Sequence, residues 1–197
     1  KRFLLALMAC MFALPLAVRA AEAPDAMVQR LSTEVIDKIS ADRDIQAGDY
    51  DKLSALVDAV VMPSVNFQRM TAIAVGRPWR AATPEQQKKL LDEFKLLLVR
   101  TYSGALSQIK DQTVQLKPLR AGADDPEVVV RTEVRGKGEP IQLDYRLERT
   151  EKGWKIYDVN VLGVWLADTS FKSQFAPILA NGGVEALTAT LAELNRK

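Results

Sequence analysis

Residues 141–161 read IQLDYRLERTEKGWKIYDVNV, and this stretch contains two alternating segments separated by a short polar turn. In the first segment the apolar side chains occupy every second position, at Ile141, Leu143, Tyr145 and Leu147. A period of two is typical of a β-strand with one buried face and one solvated face. The turn at 151–153 is too short for a crossover helix, so the stretch predicts an antiparallel hairpin of strands 141–149 and 154–161.

Two further segments with the same period precede the hairpin, at residues 113–119 and 127–135. The loops at 122–126 and 136–138 are also short and contain glycine, which favours tight turns between neighbouring strands. We therefore expect a four-stranded antiparallel meander with one face buried and the other face in water.

The residues before this sheet have helical periodicity. Apolar side chains recur every four positions at Met27, Leu31, Val35 and Ile39. This spacing predicts an amphipathic helix that ends near residues 47–48. Asp49 is a good cap for a second helix that Pro63 ends, and a third helix is expected at 67–75 before Gly76.

The clearest helix start in the chain is the run Thr83-Pro84-Glu85-Gln86. Thr83 is a favourable N-cap, Pro84 takes the first helical position and Gln86 completes a capping box. The helix that follows is expected to be roughly 35 Å long. Two more helices are expected after the sheet, at 170–179 and 184–194. These elements predict an α+β fold in which a mainly helical layer packs on one face of the four-stranded, curved, antiparallel sheet.

The first twenty residues have the pattern of a secretory signal peptide. Lys1 and Arg2 precede an apolar run, and small residues surround the expected cut after Ala20. We expect residues 1–20 to be removed and residues 21–197 to form a single domain in the periplasm. The formal net charge of the chain at pH 7 is +2, and removal of the three cationic residues of the leader leaves −1. This balance offers no basic field for nucleic acid.

Composition excludes several kinds of catalytic site. The chain contains no histidine, and its single cysteine, Cys10, lies in the predicted leader. Cys–His and Ser–His–Asp catalysis and metal sites built on imidazole or thiolate are therefore excluded for the mature chain. A binding protein is favoured over an enzyme, and no metal or cofactor is expected.

The remaining polar motifs have structural interpretations. Asp42, Asp49 and Asp124 begin short acidic groups in linkers or at helix ends, where carboxylates act as caps. Asp158 on the last strand is expected to be buried and paired with an arginine. The Gly136-Lys137-Gly138 run is expected to be a hairpin turn, because no helix follows it as in a phosphate-binding loop.

One set of blocks resembles a known family. They read MTAIAVGRPWRAATPEQ at 70–86, LVRTYSGAL at 98–106, GWKIYDV at 153–159 and LGV at 162–164. In combination and in this order they resemble the MlaC family of periplasmic phospholipid carriers, also called toluene-tolerance auxiliary proteins. The resemblance extends over nearly all of the mature chain. It departs from the expected pattern at Trp165, where a small residue is expected and an indole could narrow the pocket mouth.

The resemblance implies a shuttle that holds the acyl chains of a glycerophospholipid in an apolar pocket between helices and sheet. Its implied partners are an outer-membrane lipoprotein–porin complex and an inner-membrane ABC-transporter complex, which it would meet by transient docking. The residues expected to line the pocket are Met70, Trp79, Phe94, Leu98, Tyr102, Leu106, Leu143, Tyr145, Val159, Val161 and Phe171. Arg77 or Arg80 is expected to meet the phosphate, since guanidinium offers a forked cationic donor.

Spacing alone leaves other interpretations open. Apolar stripes of this kind are ordinary core by default, and the sequence does not say whether helix and sheet close tightly or enclose a cavity. The main alternative is a periplasmic binder of another apolar small molecule on an NTF2-like sheet, and an interaction module with a solid core is a third.

Overall fold

The computed structural model describes residues 22–122 and 124–196, so the predicted signal peptide at 1–20 lies outside the described residues. Within that part of the chain, helices precede and follow one antiparallel sheet. The α-helices are α1 (Pro24–Ala41), α2 (Arg43–Gln46), α3 (Tyr50–Leu56), α4 (Phe67–Val75), α5 (Arg77–Ala81), α6 (Pro84–Leu106) and α7 (Lys172–Leu194). Two π-helical segments (Val57–Val61 and Leu166–Phe171) and a 3-10 turn (Met62–Ser64) connect some of them.

The sheet confirms the predicted antiparallel meander and adds a strand to it. Its strands lie in chain order as β1 (Thr113–Leu116), β2 (Glu127–Arg135), β3 (Ile141–Thr150), β4 (Gly153–Val161) and β5 (Val164–Trp165). The fifth strand was not predicted, because two residues are too few to show a period. The first strand ends at Leu116 rather than at 119, close to Pro118, which has no N–H for the ladder.

The first predicted helix is interrupted at Asp42 instead of running to residues 47–48. The Asp42 carboxylate accepts hydrogen bonds from the N–H groups of Asp44 and Ile45, at 2.9 and 3.3 Å, and so begins the separate helix α2. Asp49 caps α3 as predicted, and Pro63 lies in the 3-10 turn where the helical run ends. The cap at Asp42 therefore separates α1 from α2, although the apolar period of this segment predicted one continuous helix.

The capping box at the start of α6 is confirmed. The N–H of Gln86 donates to the Thr83 hydroxyl at 3.2 Å, and the Gln86 side chain accepts from the N–H of Thr83 at 2.8 Å. Between Gly76 and this box lies the short helix α5, which was not predicted. The C-terminal α-helix begins at Lys172 rather than at 170, and it is broken by non-helical backbone at Gly182 and Gly183, the predicted boundary.

The buried apolar side chains form three separate clusters. A helical cluster joins α4 to α7 and is centred on Phe94. A second cluster joins α1 to the middle of the sheet around Leu147, and a third joins α1, α2, α3 and α6 around Ile39. The helix α6 packs against α3, α4 and α7, whereas α1 and α4 approach the strands most closely. The long helix therefore packs mainly against other helices.

Candidate functional site

The inner face of the sheet changes from closed to open along its length. In the middle of the sheet Leu147 and Val130 are 0% and 1% exposed. The next inner residues along the strands, Tyr145 and Leu143, are half-buried, and at the end of the sheet Ile141 is 44% exposed. On β4 the paired residues Val159 and Val161 are also half-buried, whereas on β2 Thr132, which pairs with Leu143, is still 1% exposed. Apolar side chains thus extend from the core to the surface.

Four of the predicted pocket residues lie inside the helical cluster. Met70, Trp79, Phe94 and Phe171 are all buried there. The ring of Phe94 packs edge-on against that of Phe171, with centroids 4.9 Å apart. In this structure these side chains fill the helical layer, and their role as lipid contacts stays a prediction.

The other seven predicted residues are half-buried. Leu98 and Val159 border the helical cluster, Tyr145 borders the α1–sheet cluster and Leu106 borders the third. Tyr102, Leu143 and Val161 are half-buried without belonging to any of the three clusters. Half-buried apolar residues on facing layers are what the wall of an apolar cavity requires.

The two tyrosines of this set are enclosed by protein. Burial raises the pKa of the Tyr145 hydroxyl, while hydrogen bonds with Ser32 and Thr132 act in the opposite direction. Burial also raises the pKa of Tyr102. Both residues nevertheless keep some solvent-accessible surface.

The two arginines expected to meet the lipid phosphate lie on a different element from the two tyrosines. Arg77 and Arg80 are exposed on α5, which packs against α4 and α7, while Trp79 between them points into the helical cluster. Neither arginine belongs to any salt bridge found among the described residues.

The outer face of the sheet is less solvated than predicted. Asp158 is 0% exposed, and the prediction of a buried, arginine-paired carboxylate is confirmed by Arg146 at 3.5 Å. Its carboxylate also accepts from the N–H groups of Ala167 and Asp168, at 2.9 and 3.3 Å. The π-helical segment after β5 therefore covers this part of the outer face, and burial raises the pKa of Asp158 against these hydrogen bonds.

Trp165 lies on this outer face. It pairs with Asn160, which is on the outer side of β4, and the Arg146 guanidinium stacks on its ring at 4.0 Å. The indole therefore strengthens the contact between sheet and π-helical segment. Its effect on a pocket mouth stays a prediction.

A second charged group on the outer face ties α4 to the sheet. The Arg69 guanidinium contacts the carboxylates of Glu127 and Glu148, at 2.6 and 2.5 Å, and stacks on the ring of Tyr157 at 3.6 Å. The hydroxyl of Tyr157 donates to Glu127 at 2.8 Å. Burial and this bond raise the pKa of Tyr157 to about 12.

A bulge in β4 explains why the consecutive residues Tyr157 and Asp158 both lie on the outer face. Arg146 pairs with Asp158 while Leu147 pairs with Ile156, so Tyr157 is an extra residue on β4. A bulge of this kind redirects side chains and bends the strand. It places Asp158 and Ile156 on opposite faces, whereas a strand without a bulge would have both on one face.

A groove outside the predicted site lies beside the start of α1. Its volume is ≈ 830 Å³. It is lined by Glu22, Met27, Arg30, Pro63, Ser64, Glu151, Lys152, Gly153, Trp154 and Lys155. None of the eleven predicted pocket residues lines it. Sequence reasoning missed this groove because it depends on how the first helix meets the β3–β4 turn.

Over residues 22–122 and 124–196, no group of acidic, cysteine or histidine side chains is arranged to hold a metal ion. In the same part of the chain, no helix combines the length and the apolar character needed to cross a bilayer.

A model of the MlaC protein family matches residues 29–193. The chain belongs to the MlaC family. This membership confirms the resemblance of the sequence blocks, and it extends through the helical layer and the sheet described above.

Curated and solved MlaC relatives agree with this assignment. The toluene tolerance protein ttg2D of Pseudomonas putida is 28% identical over 185 residues, covering 93% of this chain and 84% of the relative. The intermembrane phospholipid transport system binding protein MlaC of Haemophilus influenzae is 22% identical over 174 residues, covering 86% and 81%. A phospholipid-binding protein from Ralstonia solanacearum, solved in complex with a phospholipid, has a TM-score of 0.85 and 46% identity over 87% of this chain and 96% of its own.

Proposed function

We propose that this MlaC-family protein is a periplasmic carrier that binds one glycerophospholipid and moves it between an outer-membrane lipoprotein–porin complex and an inner-membrane ABC-transporter complex. The acyl chains lie between α6 and the inner face of the sheet, and the protein performs no catalysis. The observation that carries the proposal is the set of half-buried apolar residues on these two facing layers, in a chain 46% identical to a phospholipid-bound relative.

Elementary energetics explains why such a carrier needs apolar walls. Each methylene exposed to water costs about 0.8 kcal/mol, so two chains with about thirty methylenes would cost on the order of 24 kcal/mol. Transfer from a bilayer into an apolar pocket leaves most of this free energy unchanged. The half-buried side chains Leu98, Leu143 and Val161 supply surfaces of the required kind on both layers.

Because the exchange is nearly balanced, the carrier itself gives it no direction. Direction has to come from a partner that binds the loaded and empty forms with different affinity, or from a partner driven by ATP. The proposed membrane complexes on the two sides supply that difference.

Organic extraction of the freshly purified protein, followed by mass spectrometry, tests the proposal. We expect phospholipid at close to one molecule per protein. A different apolar metabolite would support the alternative binder, and an empty extract would support a solid interaction module.

Matched glutamate variants locate the site. Leu98→Glu and Leu143→Glu place a carboxylate on the helical and the sheet wall, and each should lose most of the bound phospholipid while circular dichroism stays unchanged. Leu194→Glu changes a leucine that is already 44% exposed near the end of α7, and it should keep its lipid. Undiminished lipid in both wall variants would reject this location.

A further inference from the structure

The turn between β4 and β5 places a leucine where the backbone disfavours one. Val161 pairs with Val164, so the turn consists of Leu162 and Gly163, and their φ angles are +51° and +91°. Two-residue turns with positive φ at both positions strongly favour Asn-Gly, because a branched or bulky side chain is strained there. Among the described residues Leu162 is the one non-glycine residue with positive φ.

The same leucine is also the most exposed large apolar residue in the part of the chain that the structure describes. Leu162 is 67% exposed, and its neighbours Ile141 and Val164 are 44% and 45% exposed. The N–H of Leu162 donates to the carbonyl of Gln142 at 3.2 Å, which holds the turn against the start of β3. We call these three residues, Ile141, Leu162 and Val164, the apolar tip. Strain and exposure at one position indicate a function rather than a contribution to folding.

The apolar tip is continuous with the proposed lipid site. Leu143 pairs with Val161 and Val161 pairs with Val164, so these side chains share the inner face of the sheet. Ile141 lies on that face two residues before Leu143. An unbroken apolar strip therefore runs from the half-buried wall to the exposed tip.

Charges near the tip offset one another. Lys137 in the adjoining β2–β3 loop lies 3.8 Å from Asp111, and at the end of β2 Glu133 contacts both Arg135 and Lys117. Glu139 in the same loop adds a third negative charge to these three cations. An occupant that recognises the tip by its apolar surface, and not by charge, fits this arrangement.

We propose that the apolar tip inserts into the surface of a phospholipid bilayer, so that acyl chains pass along the strip between the bilayer and the protein. This inference rests on the proposed function and adds a docking surface to it. Three aliphatic side chains give a weak and reversible attachment, which a shuttle requires. Because charge contributes little, neutral phosphatidylcholine vesicles should suffice.

The test uses a substitution that relieves the backbone while removing the apolar side chain. Asparagine and glycine both accept a left-handed conformation, so Leu162→Asn and Leu162→Gly should keep or raise the midpoint of thermal unfolding. Each should lower the rate of fluorescent phospholipid transfer between neutral phosphatidylcholine vesicles by about tenfold. The control Leu194→Asn removes an exposed leucine outside the tip and should transfer at the wild-type rate.

The outcomes separate the tip from the carrier function. Transfer at the wild-type rate by both Leu162 variants would overturn the proposal, and it would assign the tip to a protein partner instead. If the wild-type protein neither contains nor transfers phospholipid, the proposed function fails. Vesicle flotation then still tests the tip by measuring the fraction of protein that floats with the vesicles. A larger fraction for the wild-type protein than for Leu162→Asn supports the tip, and equal fractions reject it.

Discussion

At the scale of single residues, Asp158 illustrates how a buried charge is held in this fold. Its carboxylate accepts hydrogen bonds from the N–H groups of Ala167 and Asp168 and also faces the Arg146 guanidinium. A carboxylate is the side chain that can accept from both N–H groups at once. The residue thus joins β4 to the π-helical segment and needs no catalytic explanation.

The Asp158→Asn variant should therefore be destabilised by about 1–3 kcal/mol, since its amide turns a donor toward an N–H group. Urea denaturation measures the free energy of unfolding. The matched control is Asp144→Asn on the same face, because the buried Asp144 has one oxygen, Oδ1, without a partner. A loss equal to that of the control would show that the backbone bonds to Asp158 are unimportant.

The Tyr157 hydroxyl provides a second prediction at this scale. Its pKa is raised to about 12 by burial and by its bond to Glu127. A raised pKa adds stability that is complete below the ordinary value of 10.0 and is lost as the pH rises toward 12. Ultraviolet titration of phenolate absorbance, with Tyr157→Phe subtracted, should give a midpoint near the raised value. A midpoint near the ordinary value would contradict the buried bond.

At the scale of elements, local chemistry explains which parts of the fold were predictable. The strand β2 was predicted with its observed bounds, 127–135, because the loops on either side of it and the alternation of its side chains are both set by local sequence. The helix α5 and the strand β5 were missed, since five and two residues show no reliable period. The π-helical segments were missed as well, because they depend on tertiary contacts: Leu166–Phe171 packs against α4, β4 and α7, and Val57–Val61 packs against α1.

The capping box at Thr83 gives a prediction for a whole element. Thr83→Ala leaves the Gln86 N–H without its partner at the start of α6 and should cost about 1 kcal/mol of stability. Urea denaturation is again the measurement. Thr101→Ala changes an exposed threonine inside the same helix and should be neutral or slightly stabilising, since alanine favours helix. Equal effects at the two sites would show that the cap contributes nothing.

At the scale of the whole molecule, the candidate site was only partly accessible to sequence reasoning. The inward positions of Leu143 and Tyr145 follow from alternation, and α6 was placed by its capping box. Val161 shares the inner face with Ile156 only because of the bulge at Tyr157, which alternation does not show. Four predicted wall residues, Met70 and Phe94 among them, are buried together within the helical layer, and their contact with lipid stays a prediction. The distance between two layers depends on how every helix packs, and one residue period carries no information about it.

The three separate clusters lead to a last prediction about lipid and stability. If phospholipid fills the space between them, it binds the folded state and not the unfolded chain, so it must raise the free energy of unfolding. Delipidated protein should therefore unfold at a lower temperature than freshly purified protein, and added phospholipid should restore the midpoint. Leu143→Glu, which cannot hold the acyl chains, should show no dependence on added lipid. Identical midpoints for the loaded and delipidated wild-type protein would mean that the lipid lies outside the space between α6 and the sheet.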